Sequence, residues 1–131
     1  MIVLDTHALL WWVNAPSILS KAAKKAIDAA AKTKSAYVSC ISSWEIALLV
    51  ERGRLQLTLD VRDWLCRCEA LPFISFVPVN NVIAVESVRL PGFPHPDPAD
   101  RIIAATALSL GAVLITKDDK LRNYPHLKTI W

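Results

Sequence analysis

The stretch Asp97-Pro98-Ala99-Asp100-Arg101-Ile102-Ile103-Ala104-Ala105-Thr106-Ala107 begins with two carboxylates and then turns almost wholly apolar. Asp97 suits the N-cap of a helix, and Pro98 suits its first position, where a missing N–H costs nothing. Asp100 then falls in the first turn. From Ile102 to Leu110 no polar stripe is left for solvent, so the spacing predicts a helix packed on most sides with an acidic mouth. Gly111 can close it in a left-handed turn. Ala112-Val113-Leu114-Ile115-Thr116 follows, a short β-branched run of the kind found in a sheet buried on both faces, and Lys117-Asp118-Asp119 brings more acid at its end. A helix, a tight turn and a strand that ends in acid make half of an α/β active site.

The composition bounds the rest. The chain has 131 residues, 53% of them hydrophobic and 21% charged, which gives enough apolar material for one domain over residues 1–131 and excludes disorder. The uncharged, apolar run Ile102 to Thr116 is too short and too interrupted to span a bilayer, so no membrane association is expected. The start Met1-Ile2-Val3-Leu4-Asp5 lacks the basic and long apolar segments of a signal peptide, and three cysteines without framework spacing give no disulfide pattern. A cytoplasmic protein is expected. Cys66 and Cys68, two apart in a helical pattern, point to opposite faces and are a poor zinc pair. Three unclustered glycines exclude a phosphate-cradling loop. The net charge is +3; with Asp5, Glu45, Asp100 and Asp118 set apart, 15 basic residues face 8 acids, leaving +7 on the remainder. A basic surface around an acidic pit suits a polyanion held over metal ions.

In chain order, Ile2-Val3-Leu4 reads as a buried strand ending at Asp5-Thr6, and Ala8 to Val13 as a short apolar helix. Its Trp11 and Trp12 are read as packing or partner contacts, with base stacking as the alternative. Leu19 to Ala31 is amphipathic, its lysines forming a solvated face. Ala36 to Cys40 is a second strand, and Ser42-Ser43-Trp44-Glu45 has the spacing of a capping box at the start of a helix that runs to Gly53. Asp60 caps a packing helix with Val61, Trp64, Leu65, Cys68 and Leu71 on its apolar stripe. Phe73 to Val79 contains a third strand with Pro78 near its end, as edge strands permit. A helix from Asn81 to Leu90 precedes the loop Pro91 to Pro96, in which His95 is read as a loop residue rather than a ligand. After the fourth strand, a turn through Asp118 to Arg122 leads to a fifth strand, Leu127 to Trp131. The order is that of one domain of β-α units with a parallel sheet.

In an open parallel sheet the crevice lies beyond the carboxyl ends of the strands. Asp5 follows strand one, Glu45 lies just after strand two, Asp118 just after strand four, and Asp100 opens the helix that feeds strand four. Each has a structural explanation singly: a turn acid, a capping-box Glu, a first-turn Asp favoured by the helix dipole, a loop Asp. Together they would repel one another unless cations neutralise them. Magnesium or manganese fits such an oxygen-only set, and such a site hydrolyses phosphodiesters.

Leu4-Asp5-Thr6, Ser43-Trp44-Glu45-Ile46-Ala47, Asp97 to Ala107 and Ile115-Thr116-Lys117-Asp118 resemble the four acidic motifs of the PIN domain, and the likeness extends to its VapC-type ribonuclease toxins. The resemblance implies a three-layer α/β/α sandwich with a five-stranded parallel sheet of order 3-2-1-4-5. It also implies a magnesium-dependent endoribonuclease, with manganese as a substitute, that acts on RNA, forms a homodimer and pairs with an antitoxin. Carried over by motif, the catalytic metal ligands are Asp5, Glu45, Asp100 and Asp118. Thr6 and Thr116 match supporting hydroxyls, Asp97 the helix cap and Arg101 its neighbour in the motif; Asp119 is the rival to Asp118. A housekeeping RNA-processing nuclease of the same fold is the alternative, and a non-catalytic module that binds RNA or protein is a third. A phosphatase using Asp5 as nucleophile would need a second acid where His7 stands.

Overall fold

The computed structural model describes residues 1–94 and 96–131; the expectation for His95 lies outside them. Five short strands, β1 (Ile2–Leu4), β2 (Ala36–Ser39), β3 (Ile74–Val77), β4 (Val113–Ile115) and β5 (Thr129–Ile130), form one parallel sheet in the order β3-β2-β1-β4-β5. The helices are α1 (Thr6–Asn14), α2 (Lys21–Lys32), α3 (Ile41–Glu51), α4 (Val61–Glu69), α5 (Asn81–Val88), α6 (Pro98–Leu110) and the single turn α7 (Asp119–Arg122), with a 3₁₀ turn at Pro16–Ile18.

The period of two along the strands divides the core. Ile2 pairs with Ala36 and Leu4 with Val38 and Ile115; these rows face one side, where Ala8, Leu9, Ala23, Ile27, Trp64 and Cys68 of α1, α2 and α4 cover them. Val3 pairs with Leu114 and faces the other side, against Ile103, Ala104 and Ala107 of α6. Helix α5 packs behind α6. The result is the three-layer α/β/α arrangement with strand order 3-2-1-4-5. Leu4, Leu114 and Ile103 are fully buried, each contributing about 1.5–3 kcal/mol of burial energy.

Helix α6 lies against the sheet because its inward positions are mostly alanine, which lets backbone approach backbone. Gly111 ends it at φ 62°, where the Ala112 N–H donates to the Ala107 carbonyl (2.9 Å) and the Gly111 N–H to that of Leu108 (3.2 Å). The chain thereby turns directly into β4. Gly53 (φ 68°) closes α3 in the same way, with the Arg54 N–H on the Leu49 carbonyl at 2.9 Å.

Several boundaries differ from the expectations. The capping box at Ser42 to Glu45 does not exist: α3 begins at Ile41 with Cys40 in the N-cap place, two residues before Ser42, because the Ser39 hydroxyl accepts the Ile41 N–H (3.2 Å) and the Cys40 N–H is held by the Val77 carbonyl (2.9 Å). Ser42 and Glu45 therefore lie inside the helix and are available for other partners. Helix α5 stops at Val88, and the segment after Asp118 is a helical turn rather than an open one. Strand β5 is only two residues long, as suits an edge strand paired on one side. Cys68 is buried and Cys66 exposed, on opposite faces of α4.

Candidate functional site

Beyond the carboxyl ends of β1, β2 and β4 lies a cleft of about 740 Å³, and Asp5, Thr6, Glu45, Asp97, Asp100, Asp118 and Asp119 all line it. The four acids expected from the sequence are thus brought together, from positions up to 113 residues apart. Each is aimed by a local device that follows from its place in the chain.

Asp5 leaves β1 and becomes the N-cap of α1, its carboxylate accepting the Ala8 N–H at 2.7 Å. The buried Thr116 hydroxyl also bonds this carboxylate, while Thr116 Oγ1 accepts the Asp118 N–H at 3.1 Å. One threonine therefore ties the acid after β1 to the acid after β4. Asp118 caps α7, taking the Lys120 and Leu121 N–H groups at 2.8 and 3.1 Å. Its rival Asp119 lines the same cleft, but its side chain is almost fully exposed and has Arg122 at 3.8 Å. Thr6, buried at the start of α1, hydrogen-bonds Glu45 and lies 2.9 Å from Ser42 Oγ, so α1 and α3 are joined at the cleft floor. Asp97 is the N-cap of α6, accepting the Ala99 N–H at 2.9 Å, and Asp100 follows in the first turn.

Glu45, Asp97 and Asp100 each place a carboxylate oxygen within 4.8 Å of the other two, close enough to share one cation. Asp5 and Asp118 line the same cleft outside that trio. Arg101 is not at the cleft: its guanidinium donates to the Ser87 carbonyl (3.3 Å) and lies over the Phe93 ring (5.4 Å), fastening α6 to the end of α5. Three contributions were missed in reading the sequence: Ser42 beneath Glu45, and the capping roles of Asp5 and Asp118. The last two had a signal, since each Asp directly precedes a helical segment with an N–H two or three residues on.

The electrostatics are those of crowded like charge. Burial pushes the Asp5 carboxyl above its ordinary value of 3.8 and Glu45 adds to the rise, while Thr116, the Ala8 N–H and His7 act against it. An acid whose folded pKa is raised contributes stability that is fullest below 3.8 and is lost as the pH rises through the folded value. Asp5→Asn keeps an acceptor for Ala8 and removes the charge. Its melting temperature in EDTA at pH 7 is expected to equal or exceed that of the parent, with the gain shrinking as the pH falls towards 4. A lower melting temperature at pH 7 would show that the charge is not a burden on the metal-free fold.

Comparison with known proteins matches this arrangement. The family model described as the PIN domain matches residues 2–127. Ribonuclease VapC22 of Mycobacterium tuberculosis (strain ATCC 25618 / H37Rv) is 38% identical over 132 residues, which cover 99% of this chain and 98% of that protein. Among solved structures, VapBC2 from Rickettsia felis, bound to a DNA fragment from its promoter, superposes with a TM-score of 0.73 at 17% identity, covering 99% and 98% of the two chains. FitAcB from Neisseria gonorrhoeae superposes with a TM-score of 0.70 at 21% identity, covering 100% and 97%. At such identities the two superpositions speak for the fold alone, whereas the family model and the relative span nearly the whole sequence: the chain belongs to the PIN domain family, among its VapC-type members.

Proposed function

We propose that this protein is a metal-dependent endoribonuclease acting as the toxin of a toxin–antitoxin pair, a single PIN domain over residues 1–131. The observation that carries the reading is the convergence of Asp5, Glu45, Asp97, Asp100 and Asp118 on one cleft. The identity to a relative named as a ribonuclease, and the fold shared with chains of solved toxin–antitoxin complexes, support the substrate class and the partner.

The donor set fits a hard divalent cation, because it offers carboxylate oxygens and no cysteine. Glu45, Asp97 and Asp100 would hold the ion, with Asp5 and Asp118 across the cleft as further ligands or as ligands of water. Magnesium, with manganese as its substitute, would when bound neutralise the acids, polarise the scissile phosphate and lower the pKa of a water for attack. The chain's own groups do the positioning. Thr6 fixes the rotamer of Glu45, Thr116 fixes Asp5, and the cap bond from the Ala99 N–H fixes Asp97 at the mouth of α6. Lys117 and Lys120 on the cleft wall attract the phosphate backbone and hold it over the acids.

The antitoxin partner follows from the same reading. So does a homodimer: Val82, Val85 and Val88 on α5 are 64%, 45% and 77% exposed and Trp44 is 52% exposed, an apolar surface that a second copy would cover. Micromolar antitoxin-free protein should scatter light with the mass of two chains; a monomer mass would remove the dimer. No helix among the described residues is long and apolar enough to cross a membrane, and we place the protein in the cytoplasm, where its RNA substrate would be.

The test is cleavage of single-stranded RNA with magnesium, with EDTA, and with EDTA followed by excess magnesium. Activity should vanish in EDTA and return with the metal. Asp5→Asn, Glu45→Gln, Asp100→Asn and Asp118→Asn should each lower cleavage about a hundredfold or more with the circular dichroism spectrum unchanged. Asp97→Asn keeps the helix cap and should also lose activity, while Asp97→Ala should in addition lose about 1 kcal/mol of stability. Full activity in any one of these variants removes that residue from the site, and full activity in EDTA removes the metal.

A further inference from the structure

The aromatic residues of α1 divide into two kinds. Trp12 meets Phe73 edge-on at 5.5 Å and serves the packing of α1 on the sheet side. Trp11, half-buried against the same core, differs in what its remaining surface faces. Its ring lies between His7 and Trp131, each at 5.5 Å between centroids and tilted at 45° and 58°, and it lines the acidic cleft. Over its ring, 5.8 Å from the centroid, stands the ammonium of Lys117, an exposed side chain. That is an aromatic surface covered by a mobile cation beside a set of acids.

Trp11 and His7 also line a second cavity, of about 320 Å³, on the far side of the ridge they make; Asn14, Arg54 and Gln56 are among its other walls. The two cavities together form a groove that leads from the acids, over the rings, to an exposed guanidinium and two side-chain amides. Its sequence of chemistry is anionic site, flat ring, hydrogen-bonding groups and cation. A phosphodiester chain with unpaired bases has the complementary sequence: phosphate at the metal site, base on the ring, next phosphate at the arginine. An apolar protein segment would match the rings and the Leu10, Leu49 and Leu55 walls of the second cavity but would leave Lys117, Lys120 and Arg54 unpaired, and a base held in a duplex could not reach the rings.

Resting on the ribonuclease reading, we propose that His7 and Trp11 form a stacking shelf for an unpaired nucleobase next to the scissile phosphate, with Arg54 receiving the neighbouring phosphate. The rings supply affinity for any base, since every base offers a π-face. Lys117 leaves the Trp11 ring as the base arrives and turns to the backbone. The substrate class is therefore single-stranded RNA, and Gln56 is placed to read the base edge in the second cavity, with Asn14, whose Oδ1 accepts the Trp64 Nε1–H at 3.4 Å, offering its amide N–H beside it.

The experiment uses the full chain carrying Asp100→Asn, so that RNA is held and not cut, in magnesium buffer. Two fluorescein-labelled probes of equal length and charge are compared by anisotropy: single-stranded oligoadenylate and an abasic ribose-phosphate oligomer. Oligoadenylate should bind about tenfold tighter or better. Trp11→Leu and His7→Ala should each bring that ratio within about threefold, and Trp11→Phe should restore most of it. Arg54→Ala should weaken both probes alike and flatten the salt dependence. If Trp11→Leu fails to fold, His7→Ala decides, because its side chain is exposed. Equal affinity for the two probes, or a ratio undiminished in the folded shelf variants, overturns the shelf and leaves the ridge to a protein partner. Cleavage by the unmutated chain is read in parallel. Cleavage with an undiminished ratio sinks the shelf alone, and base-dependent binding without cleavage in any divalent metal sinks the ribonuclease reading alone.

Discussion

Gathering six carboxylates in one cleft sets the main constraint on this molecule, because like charges at that spacing oppose folding unless something of opposite sign is built in. Helix N-termini supply part of it. Asp5, Asp97 and Asp118 are the N-caps of α1, α6 and α7, so each carboxylate rests against backbone N–H groups and the positive end of a helix. The same bonds fix the rotamers. An acid that caps a helix cannot swing away from the cleft to relieve repulsion, so the fold itself sets where these carboxylates stand.

This constraint explains the layout of the sheet. Parallel strands place all their carboxyl ends on one edge, and with β1 central, the residues after β1, β2 and β4 become neighbours. Asp5 and Asp118 are adjacent because β1 pairs with β4, with Leu4 opposite Ile115, and Thr116 then stands between them. Helix α6 adds its mouth to the same edge because its alanine face seats it on β1, β2 and β4. Core packing and site assembly are one event: a shift of register by one residue would turn Val3 and Leu114 out of their core and carry Asp5 away from Thr116.

Much of this was legible in the sequence, for identifiable reasons. The α6 stretch could be read because cap, proline, acid, apolar run and terminal glycine all agree. The strands could be read because β-branched runs meet acid at their ends. What misled was Ser42 to Glu45, where a local pattern matched a capping box but a hydroxyl three residues earlier, Ser39, had already taken a first-turn N–H. The spacing of the pattern is blind to such competition. Asp97 was legible as a cap and not as a member of the carboxylate trio, since that depends on where α3 sets Glu45. Arg101, carried into the site by its motif, turns instead to Ser87 at the end of α5 and to Phe93 in the loop after it, contacts that no periodicity encodes. The different fates of Trp11 and Trp12 likewise depend on neighbours distant in the chain, Trp131 and Phe73.

The central claim is that the fold builds a cation site from these acids in advance. It is tested most directly by soaking crystals of the free protein in manganese and locating the ion by its anomalous scattering. The account predicts a peak in the cleft, liganded by at least two of Glu45, Asp97 and Asp100 and facing Asp5 and Asp118. A cleft without a peak at millimolar manganese, or an ion bound only elsewhere on the surface, would contradict it.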